Sequence, residues 1–281
     1  MIENLLEIER IDDIPLLFEH LKTMGVIRIF NKHFPPHPNW EGNLTRGEVM
    51  ASWLCFIVSR GNHRVSHVEG WAEQHLYMLE ALTGKTVRAL DFSDDRLADL
   101  LKQLGNSQVW RAFEQELSQD LLRVYELNVE TVRVGAITTK TYAGVSEDGL
   151  FQFGHSKDHR SDLAQVKISM SSLDPLGLTV STTVVKGNSA DDPLYEPEIT
   201  EVRKIVGKQN LLYIGDKKMG GLETRAFIVG GDDYYLCPLG LKQLSESHRE
   251  SLIGELFAKQ YEPQIIINPK TDEPIGMGFE M

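Results

Sequence analysis

The sequence predicts an α+β protein, helical in its first part and built on a mixed sheet in its second. Three observations carry that prediction. Apolar residues recur at helical spacing up to about Leu127, the pattern turns β-branched and alternating from Thr131, and helical and strand patterns take turns after Asp191. The reading divides the chain into a helical N-terminal domain, residues 1–127, and a mixed α/β core, residues 128–281. There is no internal repeat and no low-complexity tract.

In the first part, Asp12 or Asp13 can cap a helix that tolerates Pro15 early and carries Ile14, Leu17, Phe18 and Leu21, ending near Met24-Gly25 or running on to Phe30. The run FPPHPNWEGN is a loop, because its prolines lack amide donors and restrict the residues before them. Thr45 can cap a buried helix carrying Val49, Trp53, Phe56 and Ile57, stopped at Gly61-Asn62. A helix from His67 to Leu82 keeps Trp71, His75 and Met78 in register. Ser93 opens a short one ended by Gly105, and Ser107 to about Tyr125 carries Trp110, Phe113, Leu117, Leu121 and Val124 on one stripe.

In the second part, Thr131 to Thr139, Gln165 to Leu173 and Leu178 to Lys186 read as three strands of an antiparallel meander, separated by turn residues such as Asp174-Pro175. Asp191 to Val206 is helical, LLYIG is a short buried strand, Met219 to Val229 a helix and DDYYLCPL another strand.

The 29 basic and 41 acidic residues leave a net charge of −12, which argues against a chain that coats nucleic acid or anionic lipid with its whole surface. A local basic site is compatible with it. Cys55 and Cys237 are too few for a disulfide framework and read as buried thiols, in keeping with a cytoplasmic location. The longest strongly apolar stretch, Trp53 to Val58, is far short of the ~20 residues a bilayer span needs, and the N-terminus is acidic where a signal peptide would be basic.

Asp216 is the best-placed carboxylate for chemistry. It follows the strand LLYIG and precedes a helix, the position at which open α/β sheets present ligand-binding groups; the plainer alternative is a helix cap. A second candidate is the loop after GLFQF, where His155, Lys157, Asp158, His159, Arg160 and Asp162 crowd together. Lys157 and Arg160, with His155 and His159, suit phosphate oxygens, which take bonds from such donors without base-specific geometry; a solvated charged turn is the competing reading. The four-residue spacing of His155 and His159 is no metal signature outside a helix. Ser189 to Pro193 and Phe92 to Arg96 read as helix starts. Gly220-Gly221 and Gly230-Gly231 lack the context of a dinucleotide or P-loop site, which disfavours a nucleotide-binding enzyme.

The runs LDFSDDRLADLL, EDGLFQFGHSKDHRSDLAQVKISMSSLDPLGL, ADDPLYEPEI, LLYIGDKKMGGLETRAFI and DDYYLCPL together resemble bacterial insertion-sequence transposases of the DDE, RNase H-like superfamily, in the insertion sequence 4 group. The likeness extends from IERIDDIPLL to about Leu239. It implies a helical N-terminal domain followed by an RNase H-like core, here incomplete, in which three carboxylates hold two divalent ions, Mg²⁺ or Mn²⁺. One ion activates the attacking oxygen and the other stabilises the leaving one. By the same resemblance Asp216 is the second acid, a catalytic and metal-binding position, and His155 to Arg160 lies near the active-site face against DNA phosphates. The first acid falls on Gly135, in VRVGAITT where the family has an aspartate. The third would lie beyond Met281, so the resemblance implies a C-terminally truncated core.

The expectation is therefore a transposase by descent, inactive as this chain because a lone carboxylate cannot hold two cations. Its partner would be the DNA of transposon ends, with no membrane and with homo-oligomerisation left open. The alternatives are a catalytically dead DNA-binding relic that represses or inhibits transposition, a fragment without function, and a hydrolase that pairs Asp216 with an acid such as Asp148.

Overall fold

The computed structural model describes residues 8–155, 160–240, 243–258, 264–268 and 271–278. Two helices occupy the first stretch, α1 (Ile14–Thr23) and α2 (Val26–His33). Gly25 between them takes φ +78°, a left-handed conformation that only glycine adopts without strain, and this turns the chain where apolar spacing alone permits one helix. Asp13 stands at the N-cap of α1 but makes no capping bond; its carboxylate accepts from the Ser59 hydroxyl at 2.5 Å.

The buried helix α3 (Arg46–Arg60) starts in a capping box, Thr45 with Glu48, and stops at Gly61 with φ +58°, as its sequence requires. The expected helix over His67 to Leu82 is broken into α4 (Val68–Glu73) and α5 (Leu76–Thr83). The break has tertiary causes. His75, 2 % exposed, donates from Nδ1 to the Trp71 carbonyl at 2.7 Å and stacks on the Trp71 ring, while the distant Glu9 carboxylate accepts the amides of Tyr77 and Met78 that open α5.

Next come α6 (Asp94–Leu104) and α7 (Ser107–Val124), the latter capped by Asn106. Phe18, Phe30, Phe34, Trp53, Trp71 and Phe113 form the centre of this helical core, with Phe113 edge-on to both Phe30 and Phe34. Val124, expected on the buried stripe of α7, is about half exposed because the helix outruns the core.

The sheet follows the predicted order. β1 (Thr131–Thr141), β2 (Ala164–Leu173) and β3 (Thr179–Lys186) form an antiparallel meander, and β4 (Leu212–Ile214) joins β1 in parallel, with β5 (Tyr234–Leu236) parallel beyond it. The spatial order β3-β2-β1-β4-β5, with β2 the antiparallel member, is the arrangement of an RNase H-like core. Helix α8 (Tyr195–Val206) lies over one face, burying Ile199 and Val202 against Val132, Val134, Leu173 and Tyr213. Helix α9 (Leu222–Val229) begins three residues after the expected Met219, because Lys217 to Gly220 turn before it.

Alternation in β2 runs against simple expectation. Its covered face carries Gln165, Lys167, Ser169 and Ser171, all buried, while Val166, Ile168 and Met170 lie on the less covered face beside half-exposed Ile137 and Val184. Helix α7 runs along the edge strand β3: Glu114 accepts from the Thr182 amide and hydroxyl at 2.8 and 2.6 Å, and Ser118 donates to the Val180 carbonyl at 2.9 Å. These bonds occupy backbone groups that an open sheet edge would offer to another chain. Beyond the sheet lie α10 (Glu246–Ala258) and a separate hairpin of β6 (Gln264–Ile267) and β7 (Pro274–Gly278).

Cys55 is buried and free, and burial pushes its thiol up to about 12. Cys237, also expected inside, is only partly buried because β5 is an edge strand.

Candidate functional site

The parallel pairing of β1 with β4 sets Arg133 opposite Ile214. The pairing ends there, with Gly135 two residues further along β1 and Asp216 two residues past the end of β4. Gly215 is fixed by packing: a Cβ there would lie 2.5 Å from the Met219 sulfur, and Met219 is fully buried under the turn. Gly135 has no such constraint, since a Cβ built on it meets nothing within 4 Å.

Asp216 is exposed but engaged. Its Oδ1 accepts from the Tyr195 hydroxyl and from the Lys218 amide, each at 2.7 Å. Tyr195 is 3 % exposed, and its hydroxyl is held protonated first by burial and then by the neighbouring Asp216, Asp191 and Asp192 charges. Those last two acids are themselves tied down, Asp191 to Lys167 at 2.6 Å and Asp192 to Lys218 at 3.7 Å. The Tyr195 partner is the neighbour of the candidate site that sequence reasoning missed. Its only signal was a tyrosine on the apolar face of a segment read as a plain helix.

The geometry does not fit a divalent ion. Among the described residues no group of three or more His, Cys, Asp or Glu side chains stands close enough to hold a metal. The Oδ1 of Asp216 is already spent on two hydrogen-bond donors. Asp148, the alternative partner acid, has its carboxylate in solvent, 3.7 Å from Lys186.

In the expected phosphate-binding loop, Lys157 and His159 lie outside the described residues. His155 and Arg160 flank them and are both exposed. Arg160 is gripped by Asp162 through two bonds of 2.8 and 2.7 Å, which raises its already high pKa and lowers that of the Asp162 carboxyl. The guanidinium fork is thus offset locally by an acid. The loop's base is clipped by Gln165, whose side-chain amide donates to the carbonyls of Gly187 and His155 at 2.8 and 3.3 Å. Before the loop, the GLFQF run makes an isolated bridge, Gln152 with Gln165, and Phe153 is exposed.

No sequence-family model matches the chain, and no curated protein does either. Among solved structures, it resembles a piggyBac transposase synaptic complex with hairpin DNA (TM-score 0.39, 13 % identity, 87 % of this chain and 54 % of that one). It also resembles the Mos1 transposase paired-end complex with a left transposon end (TM-score 0.28, 8 % identity, 89 % and 85 %). A third likeness is to Ciona intestinalis endonuclease V bound to an inosine-containing 24mer DNA (TM-score 0.25, 11 % identity, 67 % and 78 %). The chain spans about half the length of the piggyBac chain. These are loose likenesses, and the fold assignment rests on the strand order. No helix among the described residues is long and apolar enough to cross a membrane.

Proposed function

We propose that this chain is a transposase-type protein of the insertion sequence 4 group, acting in the cytoplasm on transposon-end DNA, in which the cleavage chemistry is lost. The observation that carries the reading is a five-stranded sheet of order β3-β2-β1-β4-β5 with Asp216 just after β4, while the position on β1 that the resemblance gives to the first acid is Gly135, which has no side chain. Two cations roughly 3.5–4 Å apart need several carboxylates to balance their charge. One exposed aspartate that already accepts a tyrosine hydroxyl and a backbone amide supplies too little. What remains for such a protein is DNA occupancy, with Lys157, His159, Arg160 and His155 as the phosphate-facing groups and repression or inhibition of transposition as the outcome.

The test uses labelled duplexes carrying the terminal sequences that flank the coding element. Incubation with Mg²⁺ or Mn²⁺ is expected to give no nicks and no strand transfer. A mobility-shift titration is expected to show binding that weakens steeply with salt, and Lys157→Ala with Arg160→Ala to flatten that dependence. Metal-dependent product abolished by Asp216→Asn would overturn the loss of chemistry. Equal binding by the double variant at every salt concentration would return the loop to a solvated turn.

A further inference from the structure

On the less covered face of the sheet, where the turn between α6 and α7 meets β2 and β3, the structure leaves a cavity of about 660 Å³. That size falls within the range of small-molecule sites, roughly 300–1,000 Å³. Leu104, Trp110, Leu150, Ile168 and Val184 supply most of its wall, and Leu150 and Val184 are about half exposed. The wall is fixed in place. Trp110 donates from its ring nitrogen to the Thr182 hydroxyl at 3.2 Å and leans on Phe113, while Ile168 and Val184 are paired across β2 and β3.

Polar capacity is confined to the rim. The Thr182 hydroxyl, in the wall, is spent: it accepts from Trp110 and donates to Glu114 at 2.6 Å. The Thr183 hydroxyl is directed to the covered face, where its strand partner Ser169 is buried. A nucleobase or a sugar would therefore set its polar edge against hydrocarbon and leave it unpaired, which is costly. Among the described residues the only charge in the lining is Arg111, which is exposed and makes no hydrogen bond or ion pair there, and Ser107 stands one turn before it on α7. Glu114, one turn further on, is the opposing charge to count. It lies outside the lining, behind Thr182, with its oxygens occupied by the Thr182 amide and hydroxyl, and burial favours its neutral form. Lys186, two residues beyond Val184 on β3, is offset by Asp148 at 3.7 Å. The rim thus presents one uncompensated positive charge above an apolar chamber.

We infer that this cavity is a binding site for a small apolar monocarboxylate, with its hydrocarbon body between Trp110 and the Ile168–Val184 pair and its carboxylate at Arg111 and Ser107. A carboxylate suits a guanidinium because the two can share parallel hydrogen bonds. An occupant ties α7 to β3 beside the contacts that Glu114 and Ser118 already make. The site does not include Asp216 and does not depend on the function proposed above.

The full-length chain is titrated by calorimetry with 2-naphthoate and with 2-naphthamide, an uncharged compound of nearly the same shape, and is melted with and without each. The wild type is expected to bind naphthoate about tenfold more tightly than naphthamide and to melt higher in its presence. Arg111→Gln is expected to erase the preference and leave naphthamide binding unchanged. Val184→Trp, which fills the cavity from a half-exposed position, is expected to abolish binding of both. If the tryptophan variant fails to fold, the wild-type preference and its loss in Arg111→Gln decide the matter. A wild type that binds neither compound, or binds both equally, would overturn the site. So would a preference retained by Arg111→Gln, or binding that a folded Val184→Trp leaves intact. Self-association of the wild type that Val184→Trp abolishes, with no naphthoate bound, would overturn it in favour of a second copy of the chain as the occupant.

Discussion

Asp91 in the helical region and Glu198 under the sheet are buried to the same extent, at 0 and 1 % exposure, yet the chain meets their charges in opposite ways. Asp91 accepts from the Arg88 amide at 2.9 Å, from the Arg88 guanidinium at 2.8 Å and from Arg96 at 2.9 Å. Arg96 in turn stacks on the Trp40 ring at 4.5 Å. Glu198 meets hydroxyls and a second glutamate. The first carboxylate is paid for in full by arginine, so it is a structural anchor. The second has hydroxyl donors but no cation, and burial raises its pKa, so its contribution varies with pH. Burial alone therefore does not tell what an acid does; its surroundings do.

The largest effect should come from breaking the compensated acid. Asp91→Ala removes the acceptor for two guanidiniums and the Arg88 amide, and a cost of about 3–5 kcal/mol is expected in urea unfolding. Asp91→Asn keeps the shape and loses the charge, so it should cost less. A loss under about 1 kcal/mol in the alanine variant would place Asp91 with ordinary surface pairs and remove the contrast with Glu198.

The uncompensated acid should instead show itself through pH. Burial raises the Glu198 carboxyl above its ordinary range, and the same cause raises Glu114. An acid whose folded pKa is raised binds more protons folded than unfolded, so stability falls as pH climbs above the unfolded value of about 4.3. The loss is complete once pH passes the raised folded value. The wild type should therefore lose stability across that window, and Glu198→Gln should flatten the slope, leaving the Glu114 share. A glutamine variant with the full wild-type slope would show that the dependence lies elsewhere.

These contrasts also mark what the sequence made legible. Periodicity and caps gave α3, α6, α7 and the β1-β2-β3 meander, because local propensity and burial agree there. The position of Asp216 after β4 was legible for the same reason. The split between α4 and α5 was not, since it depends on Glu9, more than sixty residues away in the chain. The polar face of β2 was not either: alternation in VKISMSSLD tells that two faces exist, and only α8 decides that the serines go inside. Tyr195 read as core, and its hydroxyl bond to Asp216 joins two elements that the sequence presents separately.

That bond defines the next test. Tyr195→Phe removes the donor and Asp216→Asn weakens the acceptor, each at a cost of about 1 kcal/mol. The double variant should cost less than the sum, because both changes break the same contact. Strict additivity would mean that Asp216 stands apart from α8 and that the hydroxyl gives it no restraint.

The smallest effect on stability, and the sharpest test of the candidate site, belongs to Gly135→Asp. A Cβ at Gly135 meets nothing within 4 Å, so the change should shift unfolding by no more than about 0.5 kcal/mol. On the proposed placement of the two acid positions it would set a second carboxylate beside Asp216, and two converging carboxylates can hold one hard cation. Mn²⁺ binding followed by electron paramagnetic resonance should be absent from the Asp216 region in the wild type and weak in Gly135→Asp. It should strengthen when Tyr195→Phe is added, because Oδ1 of Asp216 then loses the hydroxyl that competes with the metal. Nicking of DNA should still be missing from both variants, since one ion does not supply the second half of a two-metal clamp. If the wild type already binds Mn²⁺ and Asp216→Asn abolishes it, the tyrosine contact is no barrier to the metal, and the case for lost chemistry falls with it.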